Sequence, residues 1–247
     1  MQEITLQKYN RIFWDKVTQF DTTNDNILRK IIHSYSVAEK CFMVASKLEL
    51  DKHQREFCYL IGLFHDLGRF KQWQVYHTYV DKLSINHADL SAQMLKEFID
   101  IFELTERENE ILLSAIKYHN QPYLGQDKDI IFYRNIVMDC DAFSNVISTA
   151  NGIQQMMTST EDGVTQSLLN DFMSLKSLLK YVAKTKLDRA LILTSCCYSI
   201  SFDFLRKEIL DKNYIDCIYE TFSPLLNEQD RAIYKTAIST LKSKFLI

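Results

Sequence analysis

The sequence predicts an all-α protein, and three observations lead to that prediction. Apolar residues recur at helical spacing along almost the whole chain. Only 5 glycines and 2 prolines occur among the 247 residues, so signals for turns and hairpins are scarce. Residues that favour helices, such as Leu, Lys, Glu, Gln and Ala, are plentiful. We expect one helical domain over residues 1–247, with a core at about 25–150 and a C-terminal helical extension at about 160–247.

The first helices are predicted from apolar periodicity and capping signals. A short helix is expected at about 4–20, and the stretch DTTNDN then supplies N-cap candidates for a longer helix. A further helix is predicted from Gln54 to Leu67, with Gly68 at its end. The segment 69–86 has no clean period and is expected to be irregular.

Helical periodicity resumes from about Ala88 to Phe102. Thr105 and Glu108 form a T-x-x-E capping box for the next helix, which is expected to end near the stretch NQPYLG. Another helix is predicted at about 129–149. A soft boundary follows at STANGIQQMMTSTEDG, and three or four more helices are expected after it.

Charge and composition narrow the classes of function and partner. The net charge of −3 gives no electrostatic footprint for a nucleic acid polymer, whereas small anionic substrates remain compatible with a local pocket. The six cysteines form no C-x-x-C pair, which indicates reduced thiols in a cytoplasmic protein. The apolar uncharged run from Ala190 to Phe202 has 13 residues and is too short to span a bilayer. We therefore expect a cytoplasmic protein with no membrane partner.

Histidines and aspartates interrupt several of the apolar helical stretches. Burying a carboxylate costs several kcal/mol unless it is paired or bound to a metal. Neutral imidazole and carboxylate are together the usual ligands of Zn, Mn, Fe and Co. Each residue alone is readily explained as a core or boundary residue, but their recurrence in five successive segments indicates a metal site. The set comprises His33, His65, Asp66, His87, His119 and one of Asp139 and Asp141.

The last two candidates, Asp139 and Asp141, are alternatives. They lie about 200° apart around a helix, so only one of them can face a common centre. Local periodicity does not choose between them, because both follow apolar residues by three or four positions.

The pattern resembles the HD superfamily of metal-dependent phosphohydrolases, through His33, the pair His65-Asp66 and a late Asp141. The stretches HDLGRF and MDCDAFSN are also similar to small bacterial HD proteins. The additional histidines, His87 and His119, resemble the subgroup that binds two metal ions. The resemblance covers about residues 25–150 and implies an HD-domain helical bundle.

The resemblance implies two divalent transition-metal ions, of Fe, Mn, Co or Zn. The first would have four ligands: His33, His65, Asp66 and Asp141. The second would share a bridging carboxylate and add two histidines and water: Asp66, His87 and His119. Asp141 is preferred over Asp139 because the family uses the second aspartate of its D-x-D segment. The family often continues D-A-D-K-L-D where this chain reads DCDAFS, and substrate preference is therefore not carried over.

The function implied is hydrolysis of a phosphoester in a small phosphorylated metabolite, with a nucleotide as the leading example, by a phosphomonoesterase or phosphodiesterase. A metal-bridging hydroxide, positioned by the catalytic residues Asp66 and Asp141, would attack phosphorus. Arg69 is the candidate cation for binding the phosphate and for catalysis. Thr78 and Asn120 are candidate substrate contacts. Two alternatives stay open, a di-iron oxygenase on the same scaffold and a non-catalytic domain that senses metal or nucleotide.

Overall fold

A computed structural model of the protein describes residues 5–152, 161–178 and 181–245. These residues form α-helices and short 3-10 helices and contain no strand, which confirms the all-α class. Internal contacts divide the chain into two compact units, Met1–Asp141 and Ala142–Ile247. The arrangement as one domain with an extension stays a prediction.

The first unit is built from helices whose caps the sequence largely predicts. Asn24, within DTTNDN, caps α2, and Thr105 and Glu108 form the predicted capping box of α6. Two 3-10 helices, Asp81–Leu83 and Ile99–Phe102, precede and follow α5. The α-helices are α1 (Thr5–Val17), α2 (Asp25–Lys47), α3 (Lys52–Phe64), α4 (Leu67–Tyr76), α5 (His87–Lys96), α6 (Glu106–Lys117) and α7 (Lys128–Ala150), of which α7 continues into the second unit.

An aromatic cluster forms much of the core of the first unit. Phe13 of α1 makes edge-to-face contacts with Phe64 of α3 and Phe70 of α4, with ring centroids 5.4 and 6.1 Å apart. Phe64 also contacts Phe102 at 5.3 Å. All four rings are buried, and burying each contributes about 1.5–3 kcal/mol. This packing fixes the end of α3, where the His65-Asp66 pair begins.

The structure differs from the sequence prediction beyond the end of α3. The helix predicted to run to Leu67 ends at Phe64, and the segment expected to be irregular contains α4. Gly68 lies in the first turn of α4 and does not end a helix. A Cβ atom on Gly68 would lie 2.5 Å from the carbonyl oxygen of His87 and 2.7 Å from the amide nitrogen of Ser91. The glycine is needed because α4 and α5 approach closely there.

The second unit also has more helices than expected. After α7, its described residues contain five α-helices, where three or four were predicted: α8 (Gln166–Met173), α9 (Lys186–Thr194), α10 (Asp203–Asp211), α11 (Tyr214–Phe222) and α12 (Glu228–Phe245). The buried carboxylate of Asp188 in α9 accepts hydrogen bonds from the amide and hydroxyl of Thr165, which precedes α8. Part of the predicted boundary, residues 153–160, lies outside the described residues.

In the part of the chain that the structure describes, no helix combines the length and the apolar character needed to cross a membrane.

Candidate metal centre

Six of the residues predicted as metal ligands come together in the first unit. Their ligand atoms form three overlapping groups, and within each group the atoms lie within 4.8 Å of one another. The groups are His33–His65–Asp66, His65–His119–Asp141 and Asp66–His87–His119. Because every group shares a residue with another, the six side chains surround one common centre.

The helices supply these side chains from different directions. His33 projects from α2 and Asp141 from α7, while His87 is the first residue of α5, directly after its N-cap Asn86. His119 follows the end of α6. The remaining pair, His65 and Asp66, forms the short connection between α3 and α4 and not a continuous helix as the sequence suggested.

Three of the histidines are held through Nδ1 so that Nε2 faces the centre. His65 Nδ1 donates to the carbonyl oxygen of Gly62, and His119 Nδ1 donates to that of Ile116, both at 2.7 Å. His87 Nδ1 lies 2.7 Å from Oδ2 of Asp81. Since carbonyl and carboxylate oxygens only accept hydrogen bonds, the proton of each ring is assigned to Nδ1. A neutral ring then presents the lone pair of Nε2, as a metal-binding histidine does.

The Nε2 atoms inside the centre lack ordinary partners. Those of His87 and His119 face each other at 3.2 Å. His65 Nε2 is buried without a hydrogen-bond partner among the described residues, and the nearest carboxylate oxygens lie 3.7 and 3.8 Å away. Burial and the neighbouring imidazoles lower the pKa of His119 to about 3, so its ring is neutral at pH 7. Converging lone pairs in a buried site favour a bound cation.

Asp66 occupies the middle of the centre, and its two oxygens face different histidines. Oδ2 lies 3.7 Å from Nε2 of both His33 and His65, whereas Oδ1 lies 3.3 Å from Nε2 of His87. Burial is the largest single effect and opposes ionisation of this carboxyl, but the charges of Lys30 and Arg69 and the neighbouring histidines together outweigh it and keep its pKa well below the usual range. The buried side chain is therefore an anion with two differently directed ligand atoms.

The structure distinguishes the two alternative aspartates of α7. Asp141 Oδ1 lies 2.9 Å from Nε2 of His33 and 3.8 Å from Nε2 of His65. Asp139 is fully buried and belongs to none of the ligand groups found among the described residues. Their opposite directions around α7 follow from the helix geometry, and Asp141 is the one that lies beside His33 of α2 and beside His65, which follows α3.

Sequence reasoning missed Asp81, which holds His87. Its carboxylate also accepts hydrogen bonds from Arg69 Nη1 and Gln72 Nε2, both at 2.9 Å. Burial would raise the pKa of Asp81, but the interactions with His87, Arg69 and Gln72 together lower it to about 2. A carboxylate that fixes the far nitrogen of a ligand histidine is a common support of metal sites. The sequence signal was weak, because Asp81 lies in a segment whose apolar residues do not repeat at a regular spacing.

Lys30 was also missed, although its position had a usable signal. It precedes His33 by three residues on α2, so both share one helix face. Its Nζ atom lies 2.7 Å from Oδ2 of Asp66.

The candidate substrate contacts have different surroundings. Arg69 Nη1 donates to Gln72 Oε1, to the carbonyl oxygen of Tyr79 and to Asp81 Oδ1. Asn120 Nδ2 lies 3.2 Å from Asp81 Oδ2 and 3.3 Å from His87 Nδ1, so this residue borders the centre. The hydroxyl of Thr78 accepts a hydrogen bond from the amide of Val80. Among the described residues, no contact joins Thr78 to the ligand groups.

Comparison with known proteins gives one match. Residues 31–146 match the model of the HD domain, a segment that contains all six converging residues. No curated protein and no solved structure matches the chain. HD domains bind divalent metal ions, and the nitrogen and oxygen donors of this centre suit such an ion.

Proposed function

We propose, from the match of residues 31–146 to the HD domain, that this chain is a metal-dependent phosphohydrolase and that it hydrolyses a phosphoester in a small phosphorylated metabolite. The observation that carries the proposal is the convergence of unpartnered or facing imidazole Nε2 atoms around Asp66. Buried polar atoms without partners cost free energy in a purely structural core, whereas bound cations would stabilise them.

We propose two divalent ions, with Asp66 shared between them. Support comes from the overlap of the ligand groups and from the two directions of the Asp66 oxygens. The proposed ligands of the first ion are His33, His65, Asp66 and Asp141. The proposed ligands of the second are Asp66, His87 and His119. The ligand atoms of His119, His65 and Asp141 also lie within 4.8 Å of one another. This closeness supports two ions bound side by side.

Bound divalent ions would supply Lewis-acid activation of water and would neutralise charge on the phosphoryl group. The chain's own residues prepare the site for that chemistry. Asp81 orients His87, and backbone carbonyl groups orient His65 and His119, so the donors need little reorganisation. Burial of the histidines and of Asp66 limits competing bulk water. Phosphoester hydrolysis needs such a preorganised, partly dry, cationic environment.

The test is a substrate screen of protein reconstituted separately with Mn, Fe, Co and Zn. The panel contains phosphomonoesters, cyclic nucleotides and nucleoside polyphosphates, and phosphate release or product formation is measured. We expect turnover of at least one phosphoester by the wild type and loss of turnover in His65→Ala. His53→Ala is the matched control, because the His53 side chain is exposed and lies away from the ligand groups.

Three outcomes would overturn all or part of the proposal. If no phosphoester is hydrolysed and the iron form consumes O₂, the protein is an oxygenase. If the protein neither hydrolyses a phosphoester nor consumes O₂ but binds a nucleotide tightly, it is a sensing domain. Hydrolysis that survives both His65→Ala and complete removal of metal would show that the reaction does not use this centre.

A further inference from the structure

Lys30 is a partly buried cation at the edge of the candidate metal centre. Its side chain is 16% exposed, and Nζ lies 2.7 Å from Oδ2 of Asp66. The ammonium group also lies 5.4 Å from the centroid of the Tyr79 ring. The Tyr79 hydroxyl donates to the carbonyl oxygen of Asn26, which fixes the ring against α2. Lys30 is thus held beside the ligand carboxylate and remains reachable from solvent.

The hydrogen-bonding capacity of Lys30 is not fully used. An ammonium group has three N–H donors, and among the described residues Nζ makes one hydrogen bond, to Asp66. Its remaining donors can meet an oxygen atom of a ligand while that hydrogen bond is kept. The Tyr79 ring contributes a cation–π contact but occupies no acceptor position.

Arg69, the cation that the sequence suggested for this role, is engaged differently. Its Nη1 atom has three acceptors, on Gln72, Tyr79 and Asp81, at 2.6 to 2.9 Å. These contacts join α4 to the segment that carries Asp81. Binding a phosphate through Nη1 would break hydrogen bonds that position Asp81, the carboxylate that holds His87. Arg69 is therefore better suited to positioning Asp81 than to gripping a substrate through that nitrogen.

We infer that Lys30 binds a phosphoryl oxygen of the substrate and so forms the phosphate subsite of this centre, an inference that rests on the proposed function. The ligand class is a phosphate group, whether free or esterified. A short, charge-assisted hydrogen bond from an ammonium group suits a phosphoryl oxygen. Lys30 supplies that donor next to Asp66, at the point where the ligand groups overlap.

The experiment compares Lys30→Met, Lys30→Arg and the control Lys71→Met, in which an exposed lysine of α4 is replaced. Each protein is loaded with Mn, its ion content is measured, and binding of inorganic phosphate is followed by calorimetry. Circular dichroism verifies folding. We expect all variants to keep the ion content of the wild type. Phosphate affinity should fall about tenfold or more in Lys30→Met, partly recover in Lys30→Arg, and stay unchanged in Lys71→Met.

Two results would overturn the inference. Unchanged phosphate affinity in Lys30→Met with full ion content would remove Lys30 from the subsite. Loss of bound ions in both Lys30→Met and Lys30→Arg would show that Lys30 positions Asp66 and does not bind phosphate.

The phosphate measurement also separates this inference from the proposed function. Phosphate binding that depends on Lys30, in a protein that hydrolyses no phosphoester, would contradict only the proposed function. Hydrolysis with phosphate affinity independent of Lys30 would contradict only the present inference.

Discussion

The Nε2 atoms of His87 and His119 face each other at 3.2 Å, and both rings have the opposite nitrogen bound to an oxygen acceptor. The acceptors are Asp81 for His87 and the Ile116 carbonyl for His119. With both rings neutral, two lone pairs point at one another, an arrangement that a bound cation relieves. This pair is therefore the most direct place to test whether a second ion binds.

His87→Ala should lose about one of two bound ions per chain, because it removes a proposed ligand of the second ion only. The ion kept is the one with the proposed ligands His33, His65, Asp66 and Asp141. Metal content of protein purified without chelator and then reconstituted is the measurement. His53→Ala, an exposed replacement, should keep the wild-type content. A wild type that binds no ion after reconstitution with Mn, Fe, Co or Zn would contradict the site itself.

Asp81→Asn should weaken metal affinity by about 10- to 100-fold without removing any proposed ligand. An amide at this position holds His87 less firmly than the carboxylate that accepts from its Nδ1. Competition with a chelator of known affinity gives the measurement. Asp100→Asn, at an exposed position, serves as the control. Equal affinity in Asp81→Asn and wild type would show that this carboxylate does not support the centre.

Gly68→Ala should lower the free energy of unfolding by about 1–3 kcal/mol. The added Cβ atom would meet backbone atoms of His87 and Ser91, which cannot rotate away as a side chain can. Denaturant unfolding measures the loss. In the control Gly125→Ala, the new atom meets the far end of the Tyr123 side chain, so a much smaller change is expected. Equal stability of the two variants would contradict the close approach of α4 and α5.

Stability should fall as the pH rises above about 10, in part because of Tyr234. Burial raises the pKa of this phenol, and its hydroxyl shares a hydrogen bond with Thr194. The folded protein then keeps a proton that the unfolded chain loses, so unfolding releases a proton and becomes more favourable at higher pH. Tyr234→Phe should show a shallower decline, by up to about 1.4 kcal/mol per pH unit. Chemical denaturation between pH 8 and pH 11 measures both slopes, and identical slopes would refute the assignment.

Part of the fold was predictable because it depends on local interactions. The capping box of Thr105 and Glu108 forms as its spacing predicts, since both partners lie within one helical turn. The segment after Gly68 was predicted wrongly, because a glycine near a helix end also serves close packing. What decides between those roles is the backbone of His87 and Ser91, which approaches from another helix.

The sequence by itself determined the all-α class and, with a resemblance to the HD family, the six residues proposed as ligands. Those patterns are local or repeat at helical spacing, so they can be read without the fold. Only the tertiary structure brought Asp141 to His33, Asp81 to His87 and Lys30 to Asp66. These contacts join segments that are separate in the chain, and their energies depend on distance and burial that sequence spacing does not encode.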